Sequence, residues 1–236
     1  MPRDEVIRPV LVLTFATEET AYLPALRESA KKQGFRFEVL GLGQKWQGFI
    51  WANSLLEERM RQCDPEELVL MLDGYDTLIT MPCSDMVSKY VKICQEASQR
   101  AGRQPTSPPG RWVVFGIEHP RELATTLYWN TIVRAARRYH IVPPESEVYM
   151  NTGAALGPAK HMLTYLDQTV RHAAATGNKD DQNTANALYW GWWVHPDVTC
   201  VTRTDAPLPI ALDIHVSYGG SNPDSSKSQP RVALLD

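Results

Sequence analysis

Residues 68–80 read LVLMLDGYDTLIT, five apolar residues running into two acids, Asp73 and Asp76, before the apolar character resumes. A short continuous apolar run bounded by turn signals is the pattern of a strand buried on both faces, so residues 68–72 are expected to form one. Ligands of open α/β sheets bind outside the carboxyl ends of the strands, which would put Asp73 at a crevice. A competing reading makes "DG" turn chemistry alone, with Asp73 bonding its own backbone and Gly74 supplying a positive φ. Two acids three apart across a turn can also aim both carboxylates at one cation. Hard oxygen donors suit Mg²⁺ or Mn²⁺, which keep some waters and hold substrate phosphates.

Outward from this stretch the pattern alternates. Strands are expected over 9–15, 35–40, 111–118 and 148–157, and helices over 19–33, 50–62, 86–99, 121–140, 160–174 and 180–190. In the first of these helices Tyr22, Leu26 and Ala30 share a face. Strands alternating with helices argue for an α/β layered fold with a mainly parallel sheet in a single domain. The tail beyond Gly219, rich in Ser, Pro and Asp, reads as loop or disorder.

The net charge of −3 and the absence of any block of five like charges argue against nucleic-acid or membrane-surface binding. The four cysteines share no C-x-x-C spacing, so they form neither a zinc motif nor a dense disulfide framework. The apolar stretch near residue 10 is too short and too soon acidic for a signal peptide or membrane span. A complete chain of this kind is expected in the cytoplasm.

Other residues carry candidate chemistry. In "GLGQKW" the glycines allow a tight turn and Trp46 can stack on a base. Asp180 and Asp181, in "NKDDQ", stand at an expected helix start, where acids either cap the helix or serve as base, nucleophile or charge stabiliser. Glu118 ends its own strand and can face the same crevice. Near the C-terminus, in "ALDIHVSYGG", His215 is a candidate third metal ligand with Asp213 as its rival. Gly219 and Gly220 would let backbone N–H groups approach a diphosphate. A lone histidine is more often structural.

Taken in order, the blocks LTFATEET, VLGLGQKW, LMLDGYDTLI, VVFGIEHP, MNTGAALG, DDQ and IHVSYGG resemble the glycosyltransferase domain of the procollagen-lysine hydroxylase family, with its viral and protist relatives. The resemblance implies a GT-A-like nucleotide-binding fold over residues 1–223, a flexible tail over 224–236, and use of Mn²⁺ (or Mg²⁺) with a UDP-sugar donor. It implies nucleotide contacts from Thr17, Trp46, Asp73, Tyr75 and Gly219, and metal ligation by Asp73, Asp76 and His215. Glu118, Asp180 and Asp181 would line the sugar and acceptor cleft as the catalytic acids.

The chain departs from the family where Ile50 or Trp51 replaces a lysine, so that either Lys45 substitutes or phosphate binding weakens. Three residues also separate His215 from Gly219, where the family's glycines follow almost at once. The implied activity is transfer of a hexose from a UDP-sugar to a hydroxyl acceptor, hydroxylysine-like or another protein or glycan. The alternative is a non-catalytic sugar-nucleotide or glycan-binding module derived from the same fold.

Overall fold

Leu68–Leu72 form a strand whose three central residues are buried, as the apolar run requires. The structure, a computed structural model, describes residues 9–100, 112–118, 149–177, 179–189, 192–194, 201–203 and 210–213. In chain order the elements are β1 (Leu11–Phe15), α1 (Leu23–Lys32), β2 (Arg36–Leu40), α2 (Phe49–Met60), β3 (Leu68–Leu72), α3 (Cys83–Arg100), β4 (Val113–Glu118), β5 (Tyr149–Pro158), α4 (Ala159–Thr176), α5 (Asp181–Tyr189), β6 (Trp192–Val194), β7 (Val201–Arg203) and β8 (Ile210–Asp213). The helix expected over 121–140 lies outside the described residues, as does the expected boundary at residue 223.

Six strands form one sheet in the order β2-β1-β3-β5-β4-β8, and β6 pairs with β7 separately. β2, β1 and β3 are parallel, with Leu11 opposite both Arg36 and Val69. β5 is antiparallel to β3 and β4, whereas β4 and β8 are parallel. The mainly parallel sheet therefore carries one reversed strand at its centre. Apolar runs report burial on both faces but not strand direction, so the reversal left no mark in the sequence pattern. The short strands β6, β7 and β8 were not separated by the sequence reading either.

The β4–β5 ladder shifts register at one place. Phe115 lies opposite Ala155, yet Gly116 lies opposite Asn151, so residues 152–154 bulge from the ladder. Bulges re-aim side chains next to functional sites. On the other side of β5, Leu72 pairs with Ala154, which sets the bulge beside the carboxyl end of β3.

Successive side chains of the sheet enter two layers. Val10, Val12, Leu70, Val114 and Leu156 pack with Leu26 and Ala30 of α1 and with Tyr90 and Cys94 of α3. The Tyr90 hydroxyl donates to Trp112 O at 2.8 Å, fastening α3 to the entry of β4. On the opposite face, Phe115 meets Tyr165 of α4 edge-on at 4.8 Å, and both are fully buried or nearly so. Truncating a buried aromatic of this kind to alanine costs about 3–5 kcal/mol.

α1 begins later than the spacing suggests. Pro24 sits in its first turn and Ala21 has φ 52°, so the chain turns just before the helix. Tyr22 is consequently 53% exposed, and Leu23 takes the buried position expected for it. Among the described residues, no helix is long and apolar enough to cross a membrane.

Candidate functional site

Three loops leave the carboxyl ends of the adjacent strands β2, β1 and β3, and Thr17 joins them. Its carbonyl accepts from Gly43 N at 2.8 Å, tying in the β2–α2 loop. Its N–H donates to the Tyr75 hydroxyl at 3.0 Å, tying in the turn after β3. Gly41 and Gly43 have φ near 80° (78° and 76°), the left-handed backbone that glycine adopts without strain. Trp46, in the same loop, stacks on Phe15 with centroids 5.5 Å apart and planes 23° apart. Phe49 and Trp51 meet it edge-on, and 42% of Trp46 stays exposed. Thr17, Trp46 and Tyr75 thus lie on one rim. Lys45 is exposed in that rim's middle loop.

Asp73 is the first residue past β3, and its N–H continues the ladder by donating to Gly153 O at 2.9 Å. The Thr77 hydroxyl donates to Asp73 O and closes the turn. Gly74 does not have the positive φ that a pure turn role would give it. It is small for another reason: a β-carbon there would meet Thr14 Oγ1 at 2.8 Å and Phe15 O at 3.1 Å. The turn therefore lies flat on the end of β1.

Burial pushes the Asp73 carboxyl up to about 6, and the neighbouring Asp76 carboxylate adds to the shift. Asp181 is likewise pushed up to about 6, first by burial and next by Asp180, with a further contribution from Asp73. Asp73 therefore lies near enough to Asp181 to help raise its carboxyl. None of Asp73, Asp76 and Asp181 forms an ion pair with Lys or Arg among the described residues. Acids held together without a cation to neutralise them suit a divalent ion. Among the described residues no three His, Cys, Asp or Glu side chains are grouped closely enough to hold one. Asp73 and Asp76 offer two carboxylates, and the donor set fits an ion that completes its shell with water, substrate oxygens or a residue outside the described ones.

The two acids of "DDQ" separate in role. Asp180 Oδ1 accepts from Asn183 N at 2.8 Å, the N-cap bond of α5. Asp181 turns inward, where the Thr152 hydroxyl reaches its Oδ2 at 3.5 Å and Gln182 N donates to its Oδ1 at 2.9 Å. Sequence alone left open which of the two faced the cleft.

Glu118 ends β4 at the same edge of the sheet, one strand beyond the bulge; only its backbone is described. Asp213 lies opposite Gly116 in β8. His215 and Gly219 lie outside the described residues.

Gly153 was missed. A β-carbon at this position would meet Asp73 Oδ2 at 2.5 Å and Asn151 Oδ1 at 2.9 Å. Asn151 Oδ1 itself accepts from Gly153 N at 2.8 Å, shaping the bulge. The available signal was a glycine inside a strand, which marks a bulge or a close approach.

Comparison with known proteins places these features in context. Residues 7–99 match the family model described as the PLOD GT domain. The human protein named multifunctional procollagen lysine hydroxylase and glycosyltransferase LH3 is 32% identical over 94 residues, covering 35% of this chain and 13% of its own length. A Caenorhabditis elegans multifunctional procollagen lysine hydroxylase and glycosyltransferase is 27% identical over 110 residues, 41% of this chain and 14% of the relative. The chain thus matches only a small part of these relatives. A crystal structure of a glycosyltransferase involved in glycosylating the major capsid of PBCV-1 aligns with a TM-score of 0.45 at 12% identity, over 87% of this chain and 82% of that one.

Proposed function

We infer, from the match of residues 7–99 to the PLOD GT domain model and the similarity to LH3, that this chain is a metal-dependent transferase moving a hexose from a UDP-sugar to a hydroxyl acceptor. The observation that carries the reading is the set of acids at the carboxyl edge of the sheet. Asp73 and Asp181 are both driven up by burial, Asp76 stands beside Asp73, and no described cation offsets them.

In this reading Asp73, Asp76 and His215 would hold a divalent ion, which would supply Lewis-acid neutralisation of the diphosphate as it leaves. Trp46 offers its exposed face to the uracil, and Thr17 lines the same rim. Asp181 faces the sugar from across the site, where a carboxylate stabilises positive charge at the anomeric carbon or orients the acceptor hydroxyl. Asp180 supports it by capping α5. Glu118, at the end of β4, would serve the acceptor side. Lys45 takes the part of the lysine that the family carries before this turn.

A screen of UDP-sugars for hydrolysis with and without Mn²⁺ tests the reading. Turnover of one UDP-hexose that depends on the divalent ion is the expected result. UDP-sugar binding without turnover would favour a binding module of the same fold, and neither binding nor turnover would overturn the assignment of a donor site.

A further inference from the structure

A tyrosine hydroxyl has one proton to donate and two lone pairs to accept with. The Tyr75 hydroxyl uses all three on the backbone of the β1–α1 loop. It accepts from Thr17 N at 3.0 Å and from Glu18 N at 3.1 Å, and it donates to Glu18 O at 3.2 Å. A fourth bond, from Tyr22 N to Tyr75 O at 3.4 Å, ties the far end of the same loop to the tyrosine's own main chain.

We propose that Tyr75 is a positioning residue, a latch whose hydroxyl holds the β1–α1 loop in the shape the donor site uses, rather than a group that hydrogen-bonds the nucleotide. The proposal deepens the reading of this rim as a UDP-sugar site and rests on it.

Three features of the loop call for such a latch. The loop is exposed at Glu18, Glu19 and Thr20, so little burial holds it. It contains Ala21 at φ 52°, a conformation that costs a non-glycine residue energy and persists only where the surroundings enforce it. Both backbone groups of Thr17 are committed, the N–H to Tyr75 and the C=O to Gly43. Of that residue, only the side-chain hydroxyl remains open to a ligand among the described residues. The place of that hydroxyl is therefore set by the tyrosine at the end of the adjacent strand. Tyr75 sits between Asp73 and Asp76, so the latch also couples the loop to the acid turn.

Tyr75→Phe keeps the ring and removes the latch. Amide exchange followed by NMR, without nucleotide, should speed up at least about tenfold at Thr17 and Glu18 and stay unchanged in β1 and β3. Titration of UDP with Mn²⁺ should give a Kd weaker by about tenfold, and donor KM should rise more than kcat falls. Thr17→Val, which leaves the latch bonds in place, should weaken UDP binding without speeding exchange at Glu18. Unchanged exchange in Tyr75→Phe, or faster exchange with unchanged UDP affinity, overturns the proposal. Should the unaltered protein bind no UDP, the donor-site reading falls instead, and the exchange comparison alone decides whether the latch exists.

Discussion

Gly153 and Asp73 are in contact across the bulge of β5: a β-carbon on the glycine would stand 2.5 Å from Asp73 Oδ2. The backbones of the two residues are joined by the bond from Asp73 N to Gly153 O, so neither can retreat as a whole. The parts able to move are side chains, the Asp73 carboxylate first and the Asn151 amide, 2.9 Å from the same β-carbon, after it. Gly153→Ala should therefore fold, with a melting temperature lowered by a few degrees, and lose Mn²⁺-dependent UDP affinity by at least about tenfold. Calorimetry on the folded variant checks this; unchanged affinity would mean that the aim of Asp73 does not matter.

Asp180 and Asp181 should respond in opposite ways. Asp180→Ala removes the cap on Asn183 N and should cost about 1 kcal/mol while leaving turnover nearly intact. Asp181 has a carboxyl raised in the folded state to about 6. Its favourable contribution to stability is full below the unfolded value near 3.8 and is lost as pH rises through about 6. At pH 7 the ionised group is a burden, so Asp181→Asn should raise metal-free stability there, by at most about 3 kcal/mol, and the gain should vanish near pH 4. Turnover should fall at least about a hundredfold. Melting curves at both pH values, set beside rates, decide between cap and cleft for each acid.

His172 gives a pH dependence of the other sign. It is buried in α4, and burial lowers its pKa from the usual 6.5 to about 4. The unfolded chain takes up the proton first, so stability is full above about 6.5 and declines as pH falls towards 4, by up to about 3 kcal/mol. The stability of the wild type relative to His172→Gln should therefore drop by that amount between pH 7 and pH 4. A pH-independent difference would show that the imidazole is not held neutral.

Trp46 stacks on Phe15 and meets Phe49 and Trp51 in T-shaped contacts, yet 42% of it stays exposed and can meet a base. Trp46→Ala should weaken UDP binding by about 1–3 kcal/mol, the scale of base–aromatic stacking. Tryptophan fluorescence that does not change on adding UDP, together with normal affinity in the alanine variant, would make Trp46 a packing residue only.

The strand carrying Asp73 was legible because burial on both faces leaves an uninterrupted apolar run, and its end is marked by acids. Of the rim residues, Thr17 was singled out through resemblance alone, whereas Trp46 stood out first from its glycine-containing loop. The roles of Asp180 and Asp181 were not separable, since either acid can cap a helix; only the bond to Asn183 distinguishes them. Gly153 escaped because its meaning depends on a register shift between β4 and β5, a contact between distant segments. The reversed direction of β5 was hidden for the same reason.

The most direct test of the metal and donor assignment is calorimetric titration of UDP into the wild type and Asp76→Ala, each with Mn²⁺ and with a chelator. Asp76 is exposed at the turn, so its removal should leave the fold intact. The expected result is UDP binding by the wild type that needs Mn²⁺ and is lost in a folded Asp76→Ala. Equal affinity in the two proteins, or wild-type binding unaffected by the chelator, would contradict a metal-held diphosphate at this turn.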